Sequence, residues 1–432
     1  MVLAHPSLLS TVLQAVQEAN IDQTTVLQFS DRPVQPQFNV PDWRSILPSA
    51  SDVVQYRWLE LSGRAARNRI ATLNFSSGTT GLPKGVSISH YNVVANLKQI
   101  AFMTRLENPT VANARWMGFL PMYHAYGQLY SCLMCVVLDT PVYVMAKFEF
   151  PELLRSIQEY RITTIHLAPP ILKMLVDRPE SSQHDLSSVQ DALSGAAPLS
   201  RELRYKIQDR FGFVIREGWG LTELTCAAIQ TPIQLAKSGT NSVGVLLPNT
   251  ECKLLTADGN LAGDGEMGEI YIRGPQVFQG YWGNEEATRE TKTPDGWLRT
   301  GDIAINRQGQ FWIVDRVKEL IKVNGLQVAP AELEALLGEN PHVADAGVVG
   351  IEMQHGEVPL AYVAVTTGSQ SSITANDIED WVAERVARHK RLTGGVIFIN
   401  KVPRLASGKI ERKLLKEWVK KEQAMRLSAA KL

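Results

Sequence analysis

Apolar runs of strand length alternate with helical periodicities from Arg69 to Phe211. Arg69 to Phe75 predicts a strand running into a Gly-rich loop, and His90 to Phe102 a helix. Arg115 to Leu120 predicts a strand, followed by a helix through Val137 and a further strand at Val142 to Met145. Pro151 to Tyr160 has a helical period, Thr163 to Ala168 reads as a strand, and Arg201 to Phe211 as a helix. Such alternation predicts a mainly parallel sheet covered by helices, with ligands beyond the carboxyl ends of the strands. From about Asn249 the pattern changes to short strands at Lys253 to Thr256, Glu269 to Arg273 and Phe311 to Val314. Asp-Gly and Gly-rich turns separate them, which predicts hairpins. After Asp315 a compact α+β unit follows, with a helix at Pro330 to Leu337, strands near Ala346 to Gly350 and Ala361 to Thr366, and a helix at Ala375 to Arg388. A Lys-rich helix closes the chain, and no internal repeat stands out. The expected class is α/β: a large N-terminal domain of mainly parallel sheets flanked by helices, a small β subdomain, and a mobile α+β C-terminal domain.

Composition narrows the function. Lys plus Arg equals Asp plus Glu, 44 each, so no basic excess is available to track a nucleic-acid backbone. A small anion held in a local pocket remains compatible with that balance. The 4 cysteines are too few for a disulfide scaffold and suit a reducing compartment. Cys132 and Cys135 form a lone C-x-x-C inside an apolar stretch and read as core. The most apolar run, Ser131 to Ala146, is broken by Asp139 and Pro141, so no membrane span is expected. No basic segment precedes the first Leu and Val residues, so no signal peptide is expected. The chain ends Ala430-Lys431-Leu432, a close variant of the Ser-Lys-Leu peroxisomal address. The expectation is therefore recognition by the peroxisomal import receptor, with the cytoplasm as the alternative location.

The densest chemistry is Ser76-Ser77-Gly78-Thr79-Thr80-Gly81-Leu82-Pro83-Lys84-Gly85-Val86. Glycines let the backbone approach an anion, hydroxyl side chains add donors, and Lys84 can neutralise phosphate charge. It is not a Walker A loop, because Pro83 precedes the lysine and no Ser or Thr follows it. Downstream, Pro121-Met122-Tyr123-His124-Ala125-Tyr126-Gly127 sets a histidine between a strand and a helix. There it can orient a carboxylate, step aside for a nucleophile, or simply be a satisfied core residue. Ser194-Gly195-Ala196-Ala197-Pro198-Leu199 sits at a strand end. Gly218-Trp219-Gly220-Leu221-Thr222-Glu223 offers a flat side chain suited to a purine and a carboxylate suited to a hard cation. Trp297-Leu298-Arg299-Thr300-Gly301-Asp302 supplies an acid whose two oxygens can accept a pair of hydroxyls. The segment from Val314 to Glu332 and the run Pro403-Arg404-Leu405-Ala406-Ser407-Gly408-Lys409-Ile410-Glu411-Arg412 complete the series.

In this order the segments resemble the adenylate-forming superfamily of acyl- and aryl-CoA ligases, firefly luciferase and peptide-synthetase adenylation domains. The stretch from Val314 to Glu332 is most similar to plant 4-coumarate–CoA ligases and their fungal relatives. Trp219 and Leu221 stand where the family carries Tyr and Met. The resemblance implies that Ser76, Ser77, Gly78, Thr79, Thr80, Gly81 and Lys84 hold the departing phosphates of ATP. It implies that Gly195 and Ala196 line the acyl and adenine sites, that Trp219 and Gly220 lie near adenine, and that Thr222 meets the α-phosphate. Glu223 would hold Mg²⁺, Asp302 would accept the ribose hydroxyls, and Arg316 would touch ribose or phosphate. Lys409, His124, Glu223 and Thr222 would be catalytic, and Lys318 the hinge. Lys322, Gly325 and Gln327 would serve the later step with coenzyme A, whose nucleotide phosphate Lys390 and Arg391 could meet.

The implied organisation is an AMP-binding N-terminal domain over 1–315, a hinge over 316–318 and a C-terminal lid over 319–432. The implied reaction joins a carboxylic acid, aryl or medium- to long-chain, to AMP and then to coenzyme A. Against the family the chain is expected to lack the usual first segment and to begin inside a strand at Met1-Val-Leu-Ala-His-Pro. Three readings stay open: a working ligase, a non-catalytic remnant that still binds nucleotide, and an adenylating enzyme that loads a separate carrier protein.

Overall fold

The helix Phe150–Tyr160 shows how local sequence builds this protein. Pro151 pre-sets its first turn, and Phe150, Leu153, Leu154 and Ile157 recur at helical spacing and are all buried. Arg161 ends it in the left-handed region, at φ 52°. The next residues are the strand Thr164–Leu167, buried throughout, so one β-α unit is written in a single stretch of sequence.

The computed structural model describes residues 1–57, 59–76, 83–107, 113–323, 326–353, 356–366, 373–405 and 408–429. Of the expected site residues, Ser77, Gly78, Thr79, Thr80, Gly81 and Gly325 lie outside these ranges, as does the terminal Ala430-Lys431-Leu432. The chain divides into two compact units, Met1–Ser62 and Gly63–Leu432, a division not anticipated from the sequence. In the first, β1 (Val2–Ala4) and β2 (Val26–Gln28) pair in parallel, and α1 (Leu9–Glu18) joins them. Ala4, Leu9, Val16, Val26 and Val40 form its core.

The second unit opens with β3 (Ile70–Ser76) and β4 (Lys84–Ser89), an antiparallel hairpin in which Ser76 faces Lys84. The second of these strands, whose Val86 and Ile88 are fully buried, was not anticipated from the sequence. The helix His90–Glu107 then follows. Buried amides fix its near end, with Asn92 Nδ2 donating to Pro275 O at 2.8 Å and Val277 O at 2.9 Å.

The main sheet has seven strands: β5 (Trp116–Gly118), β6 (Val142–Val144), β7 (Thr164–Leu167), β8 (Asp191–Ser194), β9 (Val214–Trp219), β10 (Ile229–Gln230) and β11 (Val245–Leu246). Its order is β11-β10-β9-β8-β7-β5-β6, parallel from β6 to β9 and antiparallel beyond. The covering helix Arg201–Phe211 is capped by Ser200 and ends at Gly212. Its fully buried Arg204 pairs with Glu217 of β9 and donates to Ile215 O. Four antiparallel strands follow as the small β subdomain: β12 (Glu251–Leu255), β13 (Met267–Arg273), β15 (Leu298–Arg307) and β16 (Gln310–Arg316). Between them β14 (Gly280–Tyr281) leaves this sheet and pairs with β4.

The C-terminal part has its own core of Ile321, Val328, Leu333, Val348, Val363, Ile378 and neighbours. It comprises the hairpin β17 (Ile321–Val323) and β18 (Leu326–Val328), then β19 (Val343–Met353), β20 (Gly356–Val365) and β21 (Val396–Phe398) with three helices. Two of these helices match expectation, Pro330–Leu337 and the closing Arg412–Ala429. The third spans Ala375–Ala383 rather than reaching Arg388, because the chain turns after Glu384 and packs Val386 onto the core.

Among the described residues no helix is long and apolar enough to cross a membrane. The C-x-x-C pair is not core as expected: Cys132 is exposed and Cys135 half-buried. Residues 132 and 136 lie four apart on the outward face of the helical run 125–137, where Val136 is also exposed.

Candidate active site at the carboxyl ends of the parallel strands

Four adjacent parallel strands, β5, β7, β8 and β9, end beside one another, and β5, β8 and β9 are each followed by a motif segment. After β5 comes His124, N-cap of a short helix, whose Nδ1 accepts the Tyr126 N–H at 3.3 Å. In the neutral ring the proton therefore sits on Nε2. After β8 come Gly195 and Ala196. A Cβ on Gly195 would lie 3.2 Å from the Tyr126 ring, and Ala196 takes φ 70°. After β9 the chain turns at Gly220, where a Cβ would collide with Cys226 O at 1.8 Å. Only glycine fits there, and the turn sets Thr222 and Glu223 at the sheet edge. A narrow cavity among these ends is lined by Leu120, Pro121, His124, Tyr126, Ala168 and Ala196. Tyr126 is buried, and its phenol donates to Leu193 O at 2.6 Å.

Two long-range contacts organise the side of the site beyond β9. Trp219 is buried, and its indole N–H donates to Asp302 Oδ2 at 2.8 Å. The other oxygen of Asp302 lies 3.0 Å from Arg316 Nε, its partner across β15 and β16. Glu223 accepts the Tyr281 phenol on Oε1 at 2.9 Å, while Oε2 has no hydrogen-bond partner among the described residues. Lys84 stands with its Nζ 4.9 Å from the centre of the Tyr281 ring. Ser76, half-buried, stands opposite Lys84 at the end of β3.

The C-terminal part reaches this site through one loop. Gly408 sits against β7's end, where a Cβ would be 3.2 Å from Ala168 Cβ. Lys409 is half-buried among charged neighbours. Burial and then Arg316 lower the pKa of its ammonium, while Asp302 and Glu223 oppose that shift. Burial, and then the Lys409 charge, lower the His124 pKa, so its ring is neutral at pH 7. Arg404 holds the loop, donating to Gly408 O at 2.7 Å and gripping Asp345 with two nitrogens at 2.8 and 3.1 Å.

The structure thus brings together His124, Gly195, Ala196, Trp219, Gly220, Thr222, Glu223, Asp302, Arg316 and Lys409, with Ser76 and Lys84 joined through Tyr281. It leaves Lys322 and Gln327, paired across β17 and β18, exposed. Lys318 is exposed in the turn after β16. Lys390, suggested above as a phosphate contact, is instead engaged by both oxygens of Glu332 at 2.6 and 2.8 Å. Tyr281 and Arg404 were missed as functional candidates. Tyr281 lies between Gly280 and Gly283, outside every quoted motif, whereas Arg404 stands inside one.

Residues 4–282 match the AMP-binding enzyme family, and residues 332–409 match the AMP-binding enzyme C-terminal domain. The chain belongs to the AMP-binding enzyme family. Within it, the chain is 44% identical over 356 residues to a probable 4-coumarate–CoA ligase of Dictyostelium discoideum, covering 81% of this chain and 63% of that protein. The chain thus spans less than two thirds of the length of that relative. A peroxisomal OPC-8:0-CoA ligase of Arabidopsis thaliana is 37% identical over 365 residues, 82% of this chain and 66% of the relative. An O-succinylbenzoate coenzyme A synthetase of Bacillus subtilis, solved with ATP and magnesium ion, matches with a TM-score of 0.74 at 26% identity. That match covers 96% of this chain and 78% of the synthetase chain.

Proposed function

We propose that this AMP-binding enzyme activates a carboxylic acid with ATP as an acyl-adenylate and transfers the acyl group to coenzyme A. A carboxylate is a poor acyl donor because its leaving group would be an oxide. Attack of a carboxylate oxygen on the α-phosphorus forms one P–O bond, breaks the bond to the β-phosphate and expels pyrophosphate. The thiol of coenzyme A then attacks the acyl carbon, and AMP leaves. The observation that carries this reading is the setting of Lys409, among Glu223, Asp302, Arg316 and His124. An ammonium fixed there offsets the negative charge that builds on the α-phosphoryl group and the attacking oxygen.

In this reading Asp302 and Arg316 hold the ribose and Trp219, Gly220 and the Gly195-Ala196 turn flank adenine. Thr222 reaches the α-phosphate, and Ser76 to Gly81 with Lys84 hold the leaving phosphates. The Oε2 of Glu223, without a hydrogen-bond partner among the described residues, fits a hard cation. Mg²⁺ bound there with ATP would supply positive charge to the phosphoryl oxygens. The acid enters the cavity beside neutral His124, against the Tyr126 ring. An aryl or medium-chain acid suits that lining, in keeping with the 4-coumarate–CoA ligase relative. For the second step the C-terminal part turns about Lys318 and exchanges Lys409 for the hairpin bearing Lys322, Gly325 and Gln327. Where Leu432 is the protein's carboxyl terminus, Ala430-Lys431-Leu432 directs it to the peroxisomal import receptor, as the name of the Arabidopsis relative also suggests.

The half-reactions test this. Lys409→Ala lowers ATP-dependent pyrophosphate release by about a thousandfold and spares thioester formation from a supplied acyl-adenylate. Equal loss of both half-reactions would refute the assignment.

A further inference from the structure

The phosphate-loop lysine and the Glu223 carboxylate come from distant motifs, yet both contact Tyr281, which no motif above includes. Tyr281 is held on every side. Its strand β14 pairs with β4, with Tyr281 opposite Val86, and the flanking Trp282 N donates to Gly85 O at 2.7 Å. Its own N–H donates to Thr288 Oγ1 at 2.9 Å, and its ring packs edge-on against buried Phe278, centroids 5.0 Å apart. Phe278 N in turn donates to the backbone carbonyl of Glu223 at 2.9 Å. Ring and phenol are therefore fixed relative to both the exit of the phosphate loop and the turn after β9.

From this geometry we infer that Tyr281 is a positioning residue for the metal–triphosphate site: its phenol fixes Glu223 and its ring seats Lys84. The phenol occupies Oε1 and so turns Oε2 toward the cation and phosphates. The π face opposite Lys84 attracts the ammonium and keeps it from closing directly on the carboxylate. Without the ring, Glu223 and Lys84 would be free to form an ion pair that competes with magnesium and phosphate alike. Tyr281 touches neither reacting atom; it acts through the two residues beside it. This inference rests on the nucleotide reading above.

Equilibrium binding tests it independently of turnover. Calorimetry on the full chain compares ATP binding across a magnesium titration, ATP in EDTA, and AMP without metal. Tyr281→Phe keeps the ring and loses the hydrogen bond, so the magnesium needed for half-maximal ATP binding rises about tenfold while AMP affinity stays unchanged. Tyr281→Leu adds a loss of metal-free ATP affinity of about threefold, because Lys84 loses its seat. In a Glu223→Gln background the Phe substitution adds no further loss. Thr288→Val, which frees the Tyr281 backbone, moves the magnesium requirement in the same direction by a smaller factor and stands in should Tyr281→Phe not fold. A magnesium requirement unchanged in Tyr281→Phe, or equal weakening of AMP and ATP, overturns the inference and leaves the nucleotide reading intact. Failure of the unaltered chain to bind either nucleotide overturns both.

Discussion

The loop of Lys409 and the hairpin of Lys322 and Gln327 belong to the same C-terminal part, yet they meet opposite environments. Lys409 lies half-buried where burial and Arg316 depress its ammonium, on a loop gripped by Arg404 and Asp345. Lys322 and Gln327 stand exposed, paired across a two-stranded sheet, and the Lys322 backbone N–H donates to Glu357 Oε2 at 2.8 Å. One side carries an energetically costly charge in a prepared cleft, and the other carries polar groups at no desolvation cost. In the proposed reading, Lys409 serves the first step in this arrangement and the exposed hairpin serves the second after the C-terminal part turns.

The contrast can be attacked from both sides. Replacing Lys322 and Gln327 together by alanine is expected to cost the coenzyme A step about a hundredfold, through lost positioning, and to leave pyrophosphate release unchanged. Loss of both steps would mean the hairpin serves the first position as well. Arg404→Ala unties the loop without touching the ammonium, and adenylation should fall about tenfold while transfer from a supplied adenylate is retained. Stopped assays of each half-reaction read both outcomes.

The pH profile sharpens the same comparison. Burial and the Arg316 charge hold the folded pKa of Lys409 below the ordinary lysine value, so its charge is lost as pH rises through that lowered value. Adenylation is therefore expected to show an alkaline limb beginning below the usual lysine range, absent from the thioester step. Arg316→Gln removes one of the depressing charges and should move the limb to higher pH. A limb that stays in place would detach it from Lys409. The smallest effect is expected at Lys390: since Glu332 already neutralises it, Lys390→Ala should change the KM for coenzyme A by less than about twofold.

Much of the scaffold was readable in advance because it is written locally. The helix from Phe150 repeats its buried residues at three and four, and the strand Thr164–Leu167 is apolar enough to be buried on both faces. The strand Lys84–Ser89 was not foreseen, since its alternating Val86, Ser87, Ile88 and Ser89 are all buried and give no simple inside–outside period. Many of the residues singled out from the sequence converge in space, but their contacts were not foreseen. Trp219 reads as a flat face for a purine; the fold also spends its indole edge on Asp302. Cys132 reads as core only when the outward face of its helical run is ignored.

What the sequence alone determined is the order of elements and membership of the AMP-binding enzyme family through its ordered motifs. Short-range patterns and fixed motifs carry that information because they concern residues within one turn or one strand. Only the tertiary structure decided that Tyr281 stands between Glu223 and Lys84, that Arg404 reaches Asp345, and that Lys390 is already paired. Those contacts join residues far apart in the chain, where no periodicity links them. Side-chain reach across packed elements, rather than any local preference, sets their geometry.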